Sequence, residues 1–264
     1  MALRFARHLA KTIKNPFPGL PALEAIIGRR IIDRIGSNES FPFKDHPLKG
    51  KPLHLHYVIN EFDFIDFQGV LSDEFVDASR LYPDPYCRNL RTKLSTLNSV
   101  PVQNVLVGAG ADSLIYLALR VGVNVGDYVV TTAGTYPTFK YFAEGVGAHI
   151  IEVPYRDVGI GLAVDLEAVS EAANRHSASL VYVANPDNPT GHVHSAESIS
   201  SLRRSLPEST TLVVDEAYID FSPSHALRVT SRSGGWQNTI QLRTLSKAYG
   251  LAGETHHRCS FHRI

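Results

Sequence analysis

The sequence predicts an α/β fold, a three-layer sandwich in which a mostly parallel sheet is covered by helices on both faces. From residue 86 onward, short apolar runs alternate with amphipathic helical segments. The apolar runs lack the alternation of half-exposed strands, which is typical of parallel strands buried on both sides. Hydrophobic residues make up 44% and charged residues 20% of the 264 residues, which is enough apolar material for a sizeable core.

The predicted elements follow one another in the order that such a fold requires. We predict strands at residues 104–107, 128–130, 149–153, 180–184, 211–214 and 239–242. Helices are predicted at 88–97, 112–121, 136–144, 166–175 and 196–206. The second helix, for example, has apolar Leu114, Ile115, Leu117 and Leu119 at helical spacing.

The rest of the chain differs from this regular part. We assign residues 1–41 to an N-terminal arm, 42–75 to an atypical insert-like segment, 76–253 to the large domain and 254–264 to an atypical tail. The arm begins with a basic stretch that lacks the apolar core of a signal peptide. A Pro-rich turn follows at 16–21, and we predict a short helix near 22–28. Segment 42–75 shows no clear hydrophobic periodicity of a helix or a strand.

Composition limits the partners and the compartment. The formal net charge is zero, which argues against nucleic acid or an anionic membrane as partner, and no apolar run is long enough to span a bilayer. The two cysteines, Cys87 and Cys259, give no disulfide framework, so we expect a reducing compartment, the cytoplasm. The histidine pairs His54/His56 and His192/His194 lack partners at zinc-type spacing, and we predict no metal site.

Motifs whose residues could bind a ligand or take part in catalysis follow the predicted strands. In open α/β sheets, ligands bind at these carboxyl ends of the strands. After strand 104–107, Gly110, Ala111 and Asp112 open a helix whose backbone N–H groups suit an anion such as phosphate. A plain tight turn explains that motif alone equally well. After strand 180–184, the sequence NPDNPTG at 185–191 holds Asn188 on a rigid turn.

Two charged residues follow the next strands. Asp215 directly follows strand 211–214. A carboxylate at the end of a buried strand is costly unless it is paired, either with a backbone donor or with a protonated ring nitrogen of a ligand. Lys247 follows strand 239–242 and is either a surface lysine or an amine that forms an imine with a carbonyl cofactor. A helix start for phosphate, a rigid Asn, an Asp followed by Tyr218 and a Lys together suit pyridoxal 5′-phosphate (PLP).

The motifs resemble those of the class I/II aminotransferases with the aspartate-aminotransferase fold, most closely the histidinol-phosphate aminotransferase branch. The matching strings are YPD at 82–84, GAGAD at 108–112, TYP at 135–137, NPDNPTG at 185–191, VDEAY at 214–218 and RTLSKAYGLAG at 243–253. The resemblance implies the large domain of the fold type I PLP-dependent transferases.

The resemblance also implies roles for the matched residues. Lys247 would form the Schiff base and shuttle the substrate proton, Asp215 would keep the ring nitrogen protonated, and Tyr136 would stack on the ring. Tyr82 would reach the phosphate of a neighbouring subunit, which implies a homodimer. The residues implied to contact the cofactor are Tyr82, Gly110, Ala111, Asp112, Tyr136, Asn188, Asp215, Tyr218, Ser246 and Lys247. Asn38 and Glu39 match the family's element near the substrate.

Three departures from the family pattern stand out. The segment after Ser40 does not resemble the family, and Thr255 occupies the position of an arginine that binds the phosphate. After Gly253 we expect the sheet to lack its next strand, and we expect the small C-terminal domain, with the arginine that grips the substrate carboxylate, to be missing.

The implied activity is transfer of an amino group to 2-oxoglutarate from histidinol phosphate or an aromatic amino acid, within amino-acid and specifically histidine biosynthesis. Two alternatives stay open. One is a catalytically impaired, truncated fragment that binds PLP weakly or pairs only with a full-length subunit. The other is a PLP enzyme of the threonine-phosphate decarboxylase type, which shares these motifs.

Overall fold

The computed structural model describes residues 84–222, 237–249, 252 and 259–263. The strands are β1 (Val105–Gly108), β2 (Tyr128–Thr132), β3 (His149–Val153), β4 (Arg156–Asp157), β5 (Leu162–Ala163), β6 (Leu180–Ala184), β7 (Thr211–Asp215), β8 (Thr239–Thr244) and β9 (Cys259–Arg263). The α-helices are α1 (Arg88–Asn98), α2 (Gly110–Gly122), α3 (Pro137–Gly145), α4 (Leu166–His176) and α5 (Ala196–Ser205).

Seven of these strands form one sheet in the order β1-β9-β8-β7-β6-β2-β3, while β4 and β5 form a separate antiparallel pair. Strands β3, β2, β6, β7 and β8 pair in parallel, as the buried apolar runs predicted. The α/β fold with a mostly parallel sheet is thereby confirmed.

Strand β9 corrects one expectation. We expected the sheet to lack a strand after residue 253, but β9 lies between β1 and β8 and is antiparallel to both. A strand in this position pairs with neighbours far away in sequence, so local patterning alone did not indicate it. The sequence also missed the β4–β5 pair, whose two strands are only two residues long each.

Each face of the sheet carries its own core. On one face, Leu180 and Tyr182 of β6 pack with residues of α2 and α3. On the other face, Val181 and Val183 pack with residues of α4 and α5. This alternation along a single strand follows from the two-residue period of side chains, and it gives the three layers that the sequence predicted.

Local side-chain chemistry fixes the helix starts. The Asp165 carboxylate accepts a hydrogen bond from the Ala168 N–H at 3.1 Å and begins α4, and the Ser195 hydroxyl does the same for Ser198 at the start of α5. Both are N-cap interactions, which satisfy amides that have no partner inside a helix. None of the described helices combines the length and the apolar character that crossing a bilayer requires.

Candidate active site

A pocket of about 300 Å³ lies where β1, β6, β7 and β8 end. The residues that the sequence predicted for cofactor contact and that the structure describes all line it: Gly110, Ala111, Asp112, Tyr136, Asn188, Asp215, Tyr218, Ser246 and Lys247. The pocket also involves residues that sequence reasoning did not single out: Ala109, Ala184, Pro186, Ala217, Thr244 and Ala252. The volume is that of a site for one small molecule.

One end of the pocket is built for an anion. Helix α2 begins there at Gly110, whose backbone φ of 76° is easily adopted by glycine. Its N-cap residue, Ala109, provides no side-chain hydrogen bond, so the first amides of the helix lack the usual cap. The hydroxyls of Thr244 and Ser246 lie 2.9 Å apart in the same wall. Uncapped amides with neighbouring hydroxyls fit a phosphate group.

Asp112 and Tyr136 form a pair at the rim. The Tyr136 hydroxyl donates to Asp112 Oδ1 at 3.0 Å, and burial raises the pKa of the Tyr136 phenol, which therefore stays protonated and able to donate. The Asp112 residue is exposed, yet its carboxyl loses part of its hydration, and this desolvation raises its pKa. The hydrogen bond from Tyr136 opposes the rise. The pair holds the phenol ring of Tyr136 in the pocket wall.

Asp215 is the buried carboxylate of the site, only 5% exposed. Its Oδ2 accepts a hydrogen bond from the Tyr182 hydroxyl at 2.6 Å, and its Oδ1 accepts one from the Ala217 N–H at 3.0 Å. Burial raises the pKa of the Asp215 carboxyl, and these two hydrogen bonds oppose the shift. Both donors are uncharged, so the negative charge of Asp215 suits a cationic ligand group such as a pyridinium nitrogen.

The turn that carries Asn188 is held by its neighbour. The Asp187 carboxylate accepts hydrogen bonds from the Thr190 amide at 3.2 Å, from the Thr190 hydroxyl at 2.7 Å and from the Tyr155 hydroxyl at 3.2 Å. Asp187 is 3% exposed, so the turn is anchored in the protein while Asn188 faces the pocket. This is the rigid support that the sequence predicted for Asn188.

Lys247 follows β8 and lines the pocket. Its Nζ lies 5.7 Å from the centroid of the Tyr218 ring, a cation–π contact. Lys247 also interacts electrostatically with Asp215 and Asp112, which opposes the burial-driven rise in the pKa of each carboxyl. One amine and two carboxyls thus share this small cavity.

A buried ion pair beside the pocket was not predicted. Glu216, whose side chain is 0% exposed, lies 2.8 Å from Arg243 Nη2, and Arg243 Nε donates to the same carboxylate oxygen at 2.9 Å. Arg243 Nη1 also donates to Asn98 Oδ1 of α1 at 2.9 Å. The pair ties the ends of β7 and β8 to α1. Both residues belong to motifs that the sequence analysis identified, but their pairing depends on strand order.

Tyr182 was also missed, although the sequence held a signal for it. It lies inside the apolar run of β6, and the sequence analysis assigned it no role. A buried tyrosine hydroxyl needs a hydrogen-bond partner, so a tyrosine in such a run indicates a polar group nearby. The partner proves to be Asp215.

Some predictions fall outside the described residues. These are the roles of Tyr82, Asn38 and Glu39, the effect of Thr255, the short helix near 22–28 and the segments 1–41 and 42–75. Within the described part of the chain, no group of three or more His, Cys, Asp or Glu side chains is arranged to hold a metal ion.

Comparison with known proteins identifies the family. The model of the family described as aminotransferase class I and II matches residues 78–256. The chain therefore belongs to the class I and II aminotransferases, as the sequence motifs predicted.

Its similar relatives include histidinol-phosphate aminotransferases. The protein of that name from Leuconostoc citreum is 33% identical over 250 residues, which are 92% of this chain and 64% of the relative. One from a Nostoc species is 35% identical over 177 residues, 67% of this chain and 47% of the relative. The chain thus spans less than two thirds of the length of these relatives.

A solved structure shares the fold closely. It is the histidinol-phosphate aminotransferase from Sinorhizobium meliloti in complex with pyridoxal 5′-phosphate, at a TM-score of 0.76 and 35% identity. The superposition covers 98% of this chain and 62% of that one.

Proposed function

We propose that this chain binds PLP and acts as an aminotransferase that moves an amino group from histidinol phosphate or an aromatic amino acid to 2-oxoglutarate. The observation that carries the proposal is the meeting of Lys247, Asp215 and the uncapped start of α2 in one pocket. The likeness to histidinol-phosphate aminotransferases, one of them a PLP complex, supports the choice of cofactor and of first donor.

The described residues fit PLP at each of its functional groups. The α2 start and Ser246 would hold the phosphate. Asn188 and Tyr218 would bond the phenolic oxygen, and Tyr136 would lie against the ring. PLP supplies an aldehyde that captures amines and a ring that accepts the electrons released from the substrate.

Two residues of this chain would handle the protons and the charge. Asp215 would hold a proton at the ring nitrogen, because a buried carboxylate with only neutral donors stabilises a cation beside it. Lys247 Nζ would hold the cofactor covalently and, once released, would remove the proton from the substrate α-carbon and return it. Asp215 is 5% exposed, so the surrounding protein would shield this charge pair from water.

The first test is the visible absorbance of the purified chain mixed with PLP, before and after borohydride, beside Lys247→Ala. We expect a band that depends on Lys247 and that borohydride fixes to the protein. Amino-group transfer from histidinol phosphate and from phenylalanine to 2-oxoglutarate is then measured. Absence of the band, or a band that survives in Lys247→Ala, would refute the proposed function.

The same samples separate the alternatives. Release of CO₂ from threonine phosphate would indicate the decarboxylase type instead. A Lys247-dependent band without turnover of any donor would indicate a chain that binds the cofactor but is impaired in catalysis. Sedimentation of the PLP-loaded chain tests the proposed homodimer. The proposed compartment is the cytoplasm, because the two cysteines give no disulfide framework.

A further inference from the structure

Tyr182 is fully buried at the centre of the sheet, at 0% exposure. Its ring stacks on Phe139 of α3 with centroids 4.3 Å apart. In the parallel register, Tyr182 is opposite Val213 and Ala184 is opposite Asp215, so Tyr182 and Asp215 are diagonal neighbours on one face. The phenol therefore reaches the carboxylate, and the packing of its ring fixes where its hydroxyl lies.

Asp215 has one hydrogen bond on each carboxylate oxygen. The Ala217 amide bonds Oδ1 from two residues along the chain, which any residue at 217 except proline would provide. The Tyr182 hydroxyl bonds Oδ2 at 2.6 Å, a short distance typical of a hydrogen bond to a charged oxygen. Among the described residues, Tyr182 is thus the side-chain donor to Asp215.

We infer that Tyr182 is a positioning residue whose hydroxyl orients Asp215 and stabilises its negative charge, so that a proton shared with the ring nitrogen of a bound cofactor stays on the nitrogen. This role rests on the proposed function for its cofactor part. A hydrogen bond to the charged form of an acid favours that form, and the low dielectric of a buried site strengthens the effect.

Other ionisable groups act on Asp215 from the elements around it. Asp112 of α2 favours its protonated form, and Lys247, after β8, favours its charged form. Tyr136, before α3, interacts with it electrostatically. These groups act on Asp215 through their charges, whereas Tyr182 donates a hydrogen bond that also orients the carboxylate.

The first experiment needs no cofactor. The cofactor-free chain is labelled with ¹³C at aspartate carboxyls, and Asp215 is identified by its loss in Asp215→Asn. We expect Tyr182→Phe, which keeps the ring stack, to raise the pH of half-protonation of Asp215 by about one unit, or about tenfold in the protonation equilibrium. Replacing Tyr182 with the more acidic 3,5-difluorotyrosine should lower it, and this variant retains the hydroxyl should Tyr182→Phe fail to fold.

The second experiment uses the chain loaded with PLP that carries ¹⁵N in its ring. In Tyr182→Phe the ¹⁵N resonance should move towards that of an unprotonated pyridine, and the affinity for PLP should fall by about tenfold. The matched control is Tyr155→Phe, which also removes a phenol-to-carboxylate bond, but to Asp187. The control should leave the ¹³C resonance of Asp215 and the ¹⁵N resonance of the PLP ring unchanged.

Two results would overturn the inference. One is an Asp215 titration unchanged in both Tyr182 variants. The other is a ¹⁵N resonance in Tyr182→Phe that matches the unsubstituted chain. Failure of the proposed function is recognised separately, as absence of the Lys247-dependent absorbance band, and it leaves the carboxyl titration fully informative about Tyr182.

Discussion

Asp215 and Glu216 are neighbours in sequence and both are buried, but the protein treats their charges differently. Glu216 is paired with Arg243 through contacts of 2.8 and 2.9 Å. The hydrogen bonds of Asp215 come from the neutral hydroxyl of Tyr182 and the neutral amide of Ala217, while Lys247 acts on it electrostatically. Successive residues at a strand end point to opposite sides, so the Asp215 carboxylate lines the pocket and the Glu216 carboxylate contacts Arg243 instead.

The difference separates a structural carboxylate from a functional one. A buried carboxylate that already has a cation is satisfied and joins elements together. A buried carboxylate whose hydrogen bonds come only from neutral donors still favours a positive charge beside it, which a ligand can provide. The comparison therefore predicts that loss of charge compensation at Glu216 harms stability, whereas loss of charge at Asp215 harms ligand chemistry.

Arg243→Met should have the largest effect on folding. The substitution leaves the Glu216 carboxylate buried without its cation, and we expect the free energy of unfolding to fall by about 3–5 kcal/mol. Urea denaturation followed by circular dichroism measures it. Adding Glu216→Gln in the same chain should recover part of the loss, because no uncompensated charge then remains. Equal stability of Arg243→Met and the unsubstituted chain would contradict the structural role.

Asp215→Asn should change how stability depends on pH in the cofactor-free chain. Because burial raises the pKa of Asp215 above its ordinary value of 3.8, the folded chain holds a proton that the unfolded chain has lost in the interval just above that value. Stability contributed by this residue is present below that interval and is lost as pH rises through the folded pKa.

The substitution removes this dependence. Unfolding free energies of the two chains, measured by urea denaturation from pH 4 upward, should diverge with a slope of up to about 1.4 kcal/mol per pH unit in favour of Asp215→Asn. Asp112, whose pKa shifts in the same direction, is present in both chains, so it affects the difference only through its electrostatic coupling to Asp215. If the unfolding free energies of the two chains changed in parallel with pH, the Asp215 carboxyl would not be the source of the pH dependence. When PLP is bound, Asp215→Asn should no longer be the more stable chain, because the ring nitrogen then has no carboxylate as its partner.

Asn98→Ala should have the smallest effect of the three. It removes the hydrogen bond from Arg243 Nη1 at 2.9 Å and with it the link between α1 and the ion pair. We expect a loss of about 1 kcal/mol in the same denaturation assay. The loss should shrink in the Arg243→Met background, where that bond no longer exists. A loss of the same size in both backgrounds would mean that Asn98 acts only within its own helix.

Local patterns predicted the parallel core well. The bounds of β6 match the prediction at both ends, and β3 does likewise, because apolar runs of this length buried on both faces have few alternatives. The polar residues after these runs also meet in one pocket, since the carboxyl ends of parallel strands share one edge of a sheet. The family assignment followed from those same motifs.

Other features escaped because they depend on distant pairing. The residues of β9 pair with β1 and β8 on either side, whereas the sequence analysis had assigned them to an atypical tail and expected no further strand. Arg243 stands 27 residues after Glu216 and 145 after Asn98, so its partners follow only from the order of the strands. The assignment of an arm, an insert-like segment and a tail remains a prediction for the parts outside the described residues.

The sequence by itself determined the fold class, the family and the chemical groups gathered for a cofactor, because hydrophobic periodicity, glycine and proline turns and a lysine after a strand are local properties. Only the tertiary structure decided which carboxylate takes Arg243, which takes the hydroxyl of Tyr182 from 33 residues away, and which strand lies between β1 and β8. These choices depend on register and strand order, which fix distances between residues that no local pattern relates.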